Sequence, residues 1–446
     1  MLKKTCYIFS ALGLVLSVSC ATPPGPDIRA AAGLANAVQF RAESLPTDAP
    51  PVGNALDLPA AIERAVRQSP TLQAALAEVR AAQADARQSR LLPNPVLSVV
   101  FRYPDGGGSS VTETGLTADL LTVLQTPRRI RAADNRLRAA SARAVAAALD
   151  VIADTEKSYH TANALRQEMV LLEQGAGHID RLLQIARHRL DAGEGTRLDV
   201  ATLEARRAET RIDLQERRLK LTQEQLALAR LLGQPSGDTD WQQTTSLPVA
   251  ALVRSEADWL AAALRKRPEI QADRWQLAAL EDRRALARLA FLEGSAAGLD
   301  AERDGDWSLG PSLAVPLPLF DWGQARRAKA HASAIAARHR LTQTVRQTVQ
   351  EVRQAHAAQA RLAAAATQAR EQLTPLQQQR VDLARAVYER GQSGITPLLL
   401  AELDLQKAQL RAVQLELRAA VAAIELRRAS GGTAAIFKTK TTTQKQ

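Results

Sequence analysis

Six histidines, His160, His178, His188, His331, His339 and His356, are the first side chains to test for chemistry. None has a neighbour at zinc-ligand spacing, so they are expected on solvated helix faces. No Ser-His-Asp or Cys-His arrangement can be drawn, and no Gly-rich phosphate loop is present. Catalysis, a resident metal and a cofactor therefore have no support in these residues. Nucleic-acid binding has some, because the net charge is +11.

The two cysteines point to an address. Lys3 and Lys4 precede the short apolar run from Tyr7 to Leu16, and Ser17-Val18-Ser19-Cys20 follows. Such a segment is a secretory signal, expected over 1–19, and is too short to span a membrane as a helix. Its removal leaves the mature chain at +9 with Cys20 as the single thiol. Ser19-Cys20 resembles the lipobox of bacterial lipoproteins, although Ser17 stands where those favour Leu. The resemblance implies acylation of Cys20. Plain cleavage near Ser19 with an incidental thiol is the other reading. Secretion, together with the mixing of Arg with Glu along the helices, argues against nucleic acid.

The elements that would carry any function are long. Aromatics make up only 3% of the chain, too few for a large globular core but suited to helices packed side by side. An extended Pro/Ala-rich tether is expected over 20–56. A first repeat (57–235) reads as short helices, a β-hairpin over 96–124, a long helix over 127–191 and a return helix over 196–232. A linker (236–254) leads to a second repeat (255–432). That repeat has a hairpin over 296–319, a long helix over 322–390 and a return helix over 396–429. A polar tail closes the chain at 433–446.

The repeat period is 198 residues: Pro70 answers Pro268, Gln73 answers Gln271, and Gly193 answers Gly391. Gly177 answers Pro375 at the same period, which predicts a break at one height in both long helices. Ile212, Leu219 and Leu226 form a seven-residue row beside Leu214, Leu221 and Leu228. Leu410, Leu417 and Ile424 answer it. Rows offset by two give each return helix two apolar flanks, as in the wall of a wide cylinder. An ordinary antiparallel bundle is the alternative. Four strands cannot close a barrel, and an open edge in a membrane is prohibitively costly, so oligomerisation is expected. Three copies would give twelve strands. Phe101, Tyr103, Trp307, Phe320 and Trp322 cluster at strand ends, as an interfacial girdle would.

Leu91-Leu-Pro-Asn-Pro95, Gly310-Pro-Ser-Leu-Ala-Val-Pro-Leu-Pro-Leu-Phe320 and the two glycine turns, taken in this order, resemble the TolC-type outer-membrane efflux family. The resemblance implies a trimeric twelve-helix α-barrel tunnel continued by a twelve-stranded transmembrane β-barrel. It implies a passive duct for drugs, metals or other small molecules. The partners would be a periplasmic adaptor, an inner-membrane pump and outer-membrane lipid, with no nucleic acid. Gly193, Gly195, Thr196, Gly391 and Gly394 would form adaptor-docking tips, or would only turn helices. Some relatives carry aspartates after the second turn. Here the matching places hold Asp199 in the first half but Pro397 in the second. Asp191, Glu194, Asp199 and Glu402 are the gate candidates, each equally readable as a solvated helix-end carboxylate. A lipid-anchored scaffold without a pore is the rival.

Overall fold

A computed structural model describes residues 40–51, 53, 55–103, 105, 110–243, 254–304 and 306–432. The signal segment, Cys20, most of the tether, the centre of the linker (244–253) and the tail (433–446) lie outside the described residues.

The first half contains β1 (Ala55–Leu56), α1 (Leu58–Gln68), α2 (Pro70–Gln88), β2 (Val96–Arg102), β3 (Val111–Asp119), α3 (Leu120–Asp191) and α4 (Arg197–Leu231). The second contains β4 (Gln242–Gln243), α5 (Glu256–Lys266), α6 (Pro268–Ala287), β5 (Ala296–Asp304), β6 (Asp306–Ala314), α7 (Gln324–Gln368), α8 (Thr374–Glu389) and α9 (Ile395–Ala429).

The 72 residues of α3 span about 110 Å. The helix begins seven residues before Pro127, the start expected from sequence. Asp119 decides this: its carboxylate accepts from the Thr122 backbone N–H and hydroxyl, and Leu121 is buried beside it. That cap fixes the first turn. Pro127 then sits inside the helix and only denies an N–H to the Val123 carbonyl.

The expected break occurs in one half only. Helix α3 runs through Gly175 and Gly177 without interruption. Glycine keeps its N–H, so it weakens a helix without breaking the ladder. Between α7 and α8 the backbone makes a π-turn over Ala369–Leu373, just before Pro375. Proline cannot donate to the carbonyl four residues back, and one extra residue in the turn accommodates it. The Thr374 hydroxyl donates to the Ala369 carbonyl at 3.0 Å. Gly175 has a packing role instead: a Cβ there would collide with the Gln406 amide, so glycine lets α9 approach α3.

The helices form a wall of four columns. Helices α2 and α4 lie in the first, α3 in the second, α6 and α9 in the third, and α7 continued by α8 in the fourth. Helix α1 packs on α3, and α5 on α7. The largest core joins α1, α2, α3 and α4 around Tyr159, whose hydroxyl donates to the Leu56 carbonyl at 2.9 Å. Buried charges tie columns together. Arg217 on α4 pairs with the buried Glu168 on α3 at 2.6 Å. Burial pushes the Glu168 carboxyl up, and Arg217 pulls against that. Arg428 on α9 links Asp150 on α3 at 2.6 Å and Glu269 on α6 at 2.5 Å.

The four longer strands form one antiparallel sheet ordered β2-β3-β5-β6. Each repeat thus contributes a hairpin, and β3 joins β5 between them. The second strand of the first hairpin, expected to reach Leu124, ends at Asp119, and that of the second hairpin, expected to reach Leu319, ends at Ala314, because helix and proline intervene.

Candidate functional site

The two glycine turns meet at one end of the wall. Leu182, Leu183, Ala186 and Leu203 share a core with Tyr388, Ile395, Leu398 and Leu399, so residues flanking both turns pack together. The Arg189 guanidinium lies over the Tyr388 ring, 5.2 Å from its centre. The nearby Tyr388 hydroxyl raises the Arg189 pKa further. This link was absent from the sequence expectations, although each residue opens one of the two turn stretches.

The turns differ in how they are closed. Gly193 has φ +77°, and the Glu194 and Gly195 N–H groups donate to the Arg189 carbonyl at 2.8 and 2.9 Å. Thr196 then caps α4 in a reciprocal box, its hydroxyl accepting from the Asp199 N–H at 3.1 Å. The Asp199 carboxylate in turn accepts from the Thr196 N–H and hydroxyl. Gly391 has φ +72°, and its N–H donates to the Tyr388 carbonyl at 2.9 Å. Gly394 caps α9 without any side-chain bond. Pro397 falls in the first turn of α9, where an N–H would lack a helical partner anyway.

The gate candidates are not gathered into one cluster. Asp191 and Glu194 are exposed at the first turn. Asp199 is engaged in its cap. Glu402 lies in the seam between α8 and α9, largely buried, with Arg385 at 3.4 Å. Among the described residues no group of three or more potential ligands could hold a metal. Five histidines are exposed or half-buried, but His160 is only 2% exposed. The solvated face expected for it is a misreading: it sits where α3 is covered on both sides.

At the other end, the sheet separates its residue types by face. Paired residues share a face, so Leu97, Leu116, Leu299 and Pro311 form one row, and Val99, Thr114, Ala301 and Leu309 another on the same side. Phe101 and Trp307 continue that apolar face. Arg303 is also on it, stacked over Trp307. The opposite face carries Ser98, Glu113, Asp300, Glu302 and Ser308. Gly115 leaves room there for the Ser98 hydroxyl and the Asp300 carboxylate. Among the described residues β2 and β6 each have one unpaired edge.

The wall is also open at its margins. On α4, Ile212 and Leu219 are 61% and 60% exposed, whereas Leu214 is 9% and Leu228 0% exposed. On α9, which has a neighbour on each side, Ile424 is 3% exposed and Leu410 and Leu417 are half-buried.

The outer membrane efflux protein profile matches residues 61–234 and 259–432, one match for each half of this wall and sheet. The chain belongs to the outer membrane efflux proteins. Members of this family are channels of the outer membrane that reach into the periplasm, and this efflux protein is placed there with them. It is 25% identical over 427 residues to the pyoverdine export outer membrane protein OpmQ of Pseudomonas aeruginosa, with 84% of this chain and 85% of OpmQ covered. Its fold is that of VceC from Vibrio cholerae, with a TM-score of 0.70 at 22% identity over 84% of this chain and 96% of VceC. The open state of the Neisseria gonorrhoeae MtrE channel superposes with a TM-score of 0.68 at 22% identity, over 88% of this chain and 95% of MtrE.

Proposed function

We propose that three copies of this efflux protein close into a passive duct, with twelve strands in the outer membrane and twelve helices in the periplasm. The observation that carries this is the pair of open margins. Unpaired backbone groups cost several kcal/mol each in hydrocarbon, so β2 and β6 need partners. The bare apolar row on α4 faces water and needs cover for a different reason, the cost of exposed apolar surface. The apolar face of the sheet turns to lipid, and the face with Glu113, Asp300 and Glu302 lines the bore.

The tips receive a periplasmic adaptor, and an inner-membrane pump supplies the energy. Exposed glycine backbone at Gly193, Gly391 and Gly394 supports that docking, since no side chain would obstruct a partner there. Asp191 and Glu194, tripled by symmetry, give the periplasmic mouth a cation-attracting collar. Asp199 and Glu402 serve it indirectly, by holding the helix start and the α8/α9 seam. The cargo is a drug, a metal or another small molecule, and Cys20 carries lipid.

Planar-bilayer recording from purified protein tests the duct. Discrete conductance steps are expected. A pore-free scaffold gives none, and their absence would sink the proposal.

A further inference from the structure

The cationic side chains are concentrated in the sheet-proximal stretches of the two long helices, each about 40–45 Å long. Between Leu120 and Leu149, α3 carries six arginines against the single carboxylate of Asp134. Between Gln324 and Gln350, α7 carries six cations and no carboxylate. Together these stretches hold a net +11, equal to that of the whole chain. The mixing of Arg with Glu expected along the helices is therefore far from even.

Both stretches start where the sheet ends. Arg128 and Arg131 lie about 12 and 17 Å along α3 from Leu120, and Arg327 and Lys329 about 5 and 8 Å along α7 from Gln324. Arg288 closes α6 at the same level, just before the chain rises into β5. All five are exposed. Arg128, Arg288, Arg327 and Lys329 form no ion pair with a described carboxylate, whereas Arg326 is held by Glu293 and Asp321. Directly on the sheet side stands an exposed apolar band: Leu91, Leu92, Leu317, Leu319, Phe320 and Trp322, with Phe320 90% exposed. Apolar and aromatic residues give way to cations over about 10–15 Å, the depth of a headgroup layer plus the reach of a basic side chain.

We propose that this collar binds the anionic phospholipid headgroups of the periplasm-facing leaflet and so fixes the depth of the channel in the membrane. The proposal rests on the barrel reading above. Attraction of anionic cargo into the bore is the competing use of the same charge. The sheet argues against it, because an anion drawn inward would next meet Glu113, Asp300 and Glu302. Charge at a membrane surface acts within a Debye length of about 8–10 Å, which the collar satisfies only if it faces lipid.

The test uses the full-length protein in phosphatidylcholine vesicles that contain brominated phosphatidylglycerol or brominated phosphatidylcholine. Trp322, beside the collar, reports its lipid contact through quenching, and Trp307, at the far end of β6, reports whether the sheet is in the bilayer. Brominated phosphatidylglycerol is expected to associate about threefold more strongly, with the preference lost at high salt. In the combined variant Arg128→Gln, Arg288→Gln, Arg327→Gln and Lys329→Gln, the preference should fall to near unity while brominated phosphatidylcholine still quenches. Equal quenching by both lipids in the unmodified protein, or a preference that ignores salt, would overturn the collar and leave the channel standing; both readouts are independent of how the variant folds. Quenching by neither lipid would mean the sheet is not in the bilayer, and would overturn the barrel together with the collar. A variant that keeps the lipid preference but shifts the reversal potential would assign these cations to the bore and overturn the proposal.

Discussion

Gly391 is the residue at which turning and docking can be separated. Its φ of +72° is left-handed, yet a Cβ there would meet nothing within 4 Å. Gly391→Val therefore costs only the backbone strain of about 1–2 kcal/mol, too little to unmake a helical wall. Assembly should be unchanged on a native gel. Efflux, read as drug or metal tolerance in a deletion strain carrying the variant, should fall. Unaltered tolerance would leave this turn with no docking role. His160 makes a second residue-scale case. Burial, and after it the charge of Arg427, hold its imidazole below the ordinary 6.5. The stability it contributes is thus present above pH 6.5 and is lost as pH falls through its folded value. Glu156 runs the other way: burial raises its carboxyl above 4.5, against Arg427 at 2.7 Å. Its contribution therefore grows as the pH falls towards 4.5. His160→Gln should reduce the loss of Tm on acidification by about 1–3 °C, leaving the opposing trend of Glu156. A Tm–pH curve identical to that of the parent would reject the assignment.

Among the elements, α4 carries the sharpest prediction. Ile212 and Leu219 are exposed in one chain, so an aspartate there removes nothing from the fold of that chain. Ile212→Asp with Leu219→Asp should leave the helical circular dichroism intact and turn a detergent-solubilised trimer into monomer by light scattering. A trimer that persists would mean this row faces something other than a second copy. Elements are also where the limits of the sequence are clearest. The hairpins, the turns and the return helices were legible, because glycine, proline and apolar period are local signals. The start of α3 was not, since a capping aspartate outweighed the proline eight residues on. The π-turn was foreseen as a break in both halves, but only proline removes a donor, and glycine at the answering place does not. The burial of His160 and the contact of Arg189 with Tyr388 depend on which columns are neighbours, and a single chain's period does not say that.

For the molecule as a whole, the candidate site was legible in place and not in composition. The 198-residue repeat puts both turns at one end, and the structure joins them through a common core. Equivalent positions nevertheless do different work: Asp199 closes a cap, while Pro397 needs none. The two margins of the wall are likewise unlike, one offering α4 and β2 and the other α7, α8 and β6. A ring built by joining such dissimilar margins has no twofold partner surface, so each chain is at once a donor and a recipient. A chain damaged on one margin would still be accepted through the other. Expressed beside an equal amount of intact chain, it would leave about one in eight of the proposed three-chain rings entirely sound. Such a defect would therefore act dominantly, removing far more channels than its share of the chains.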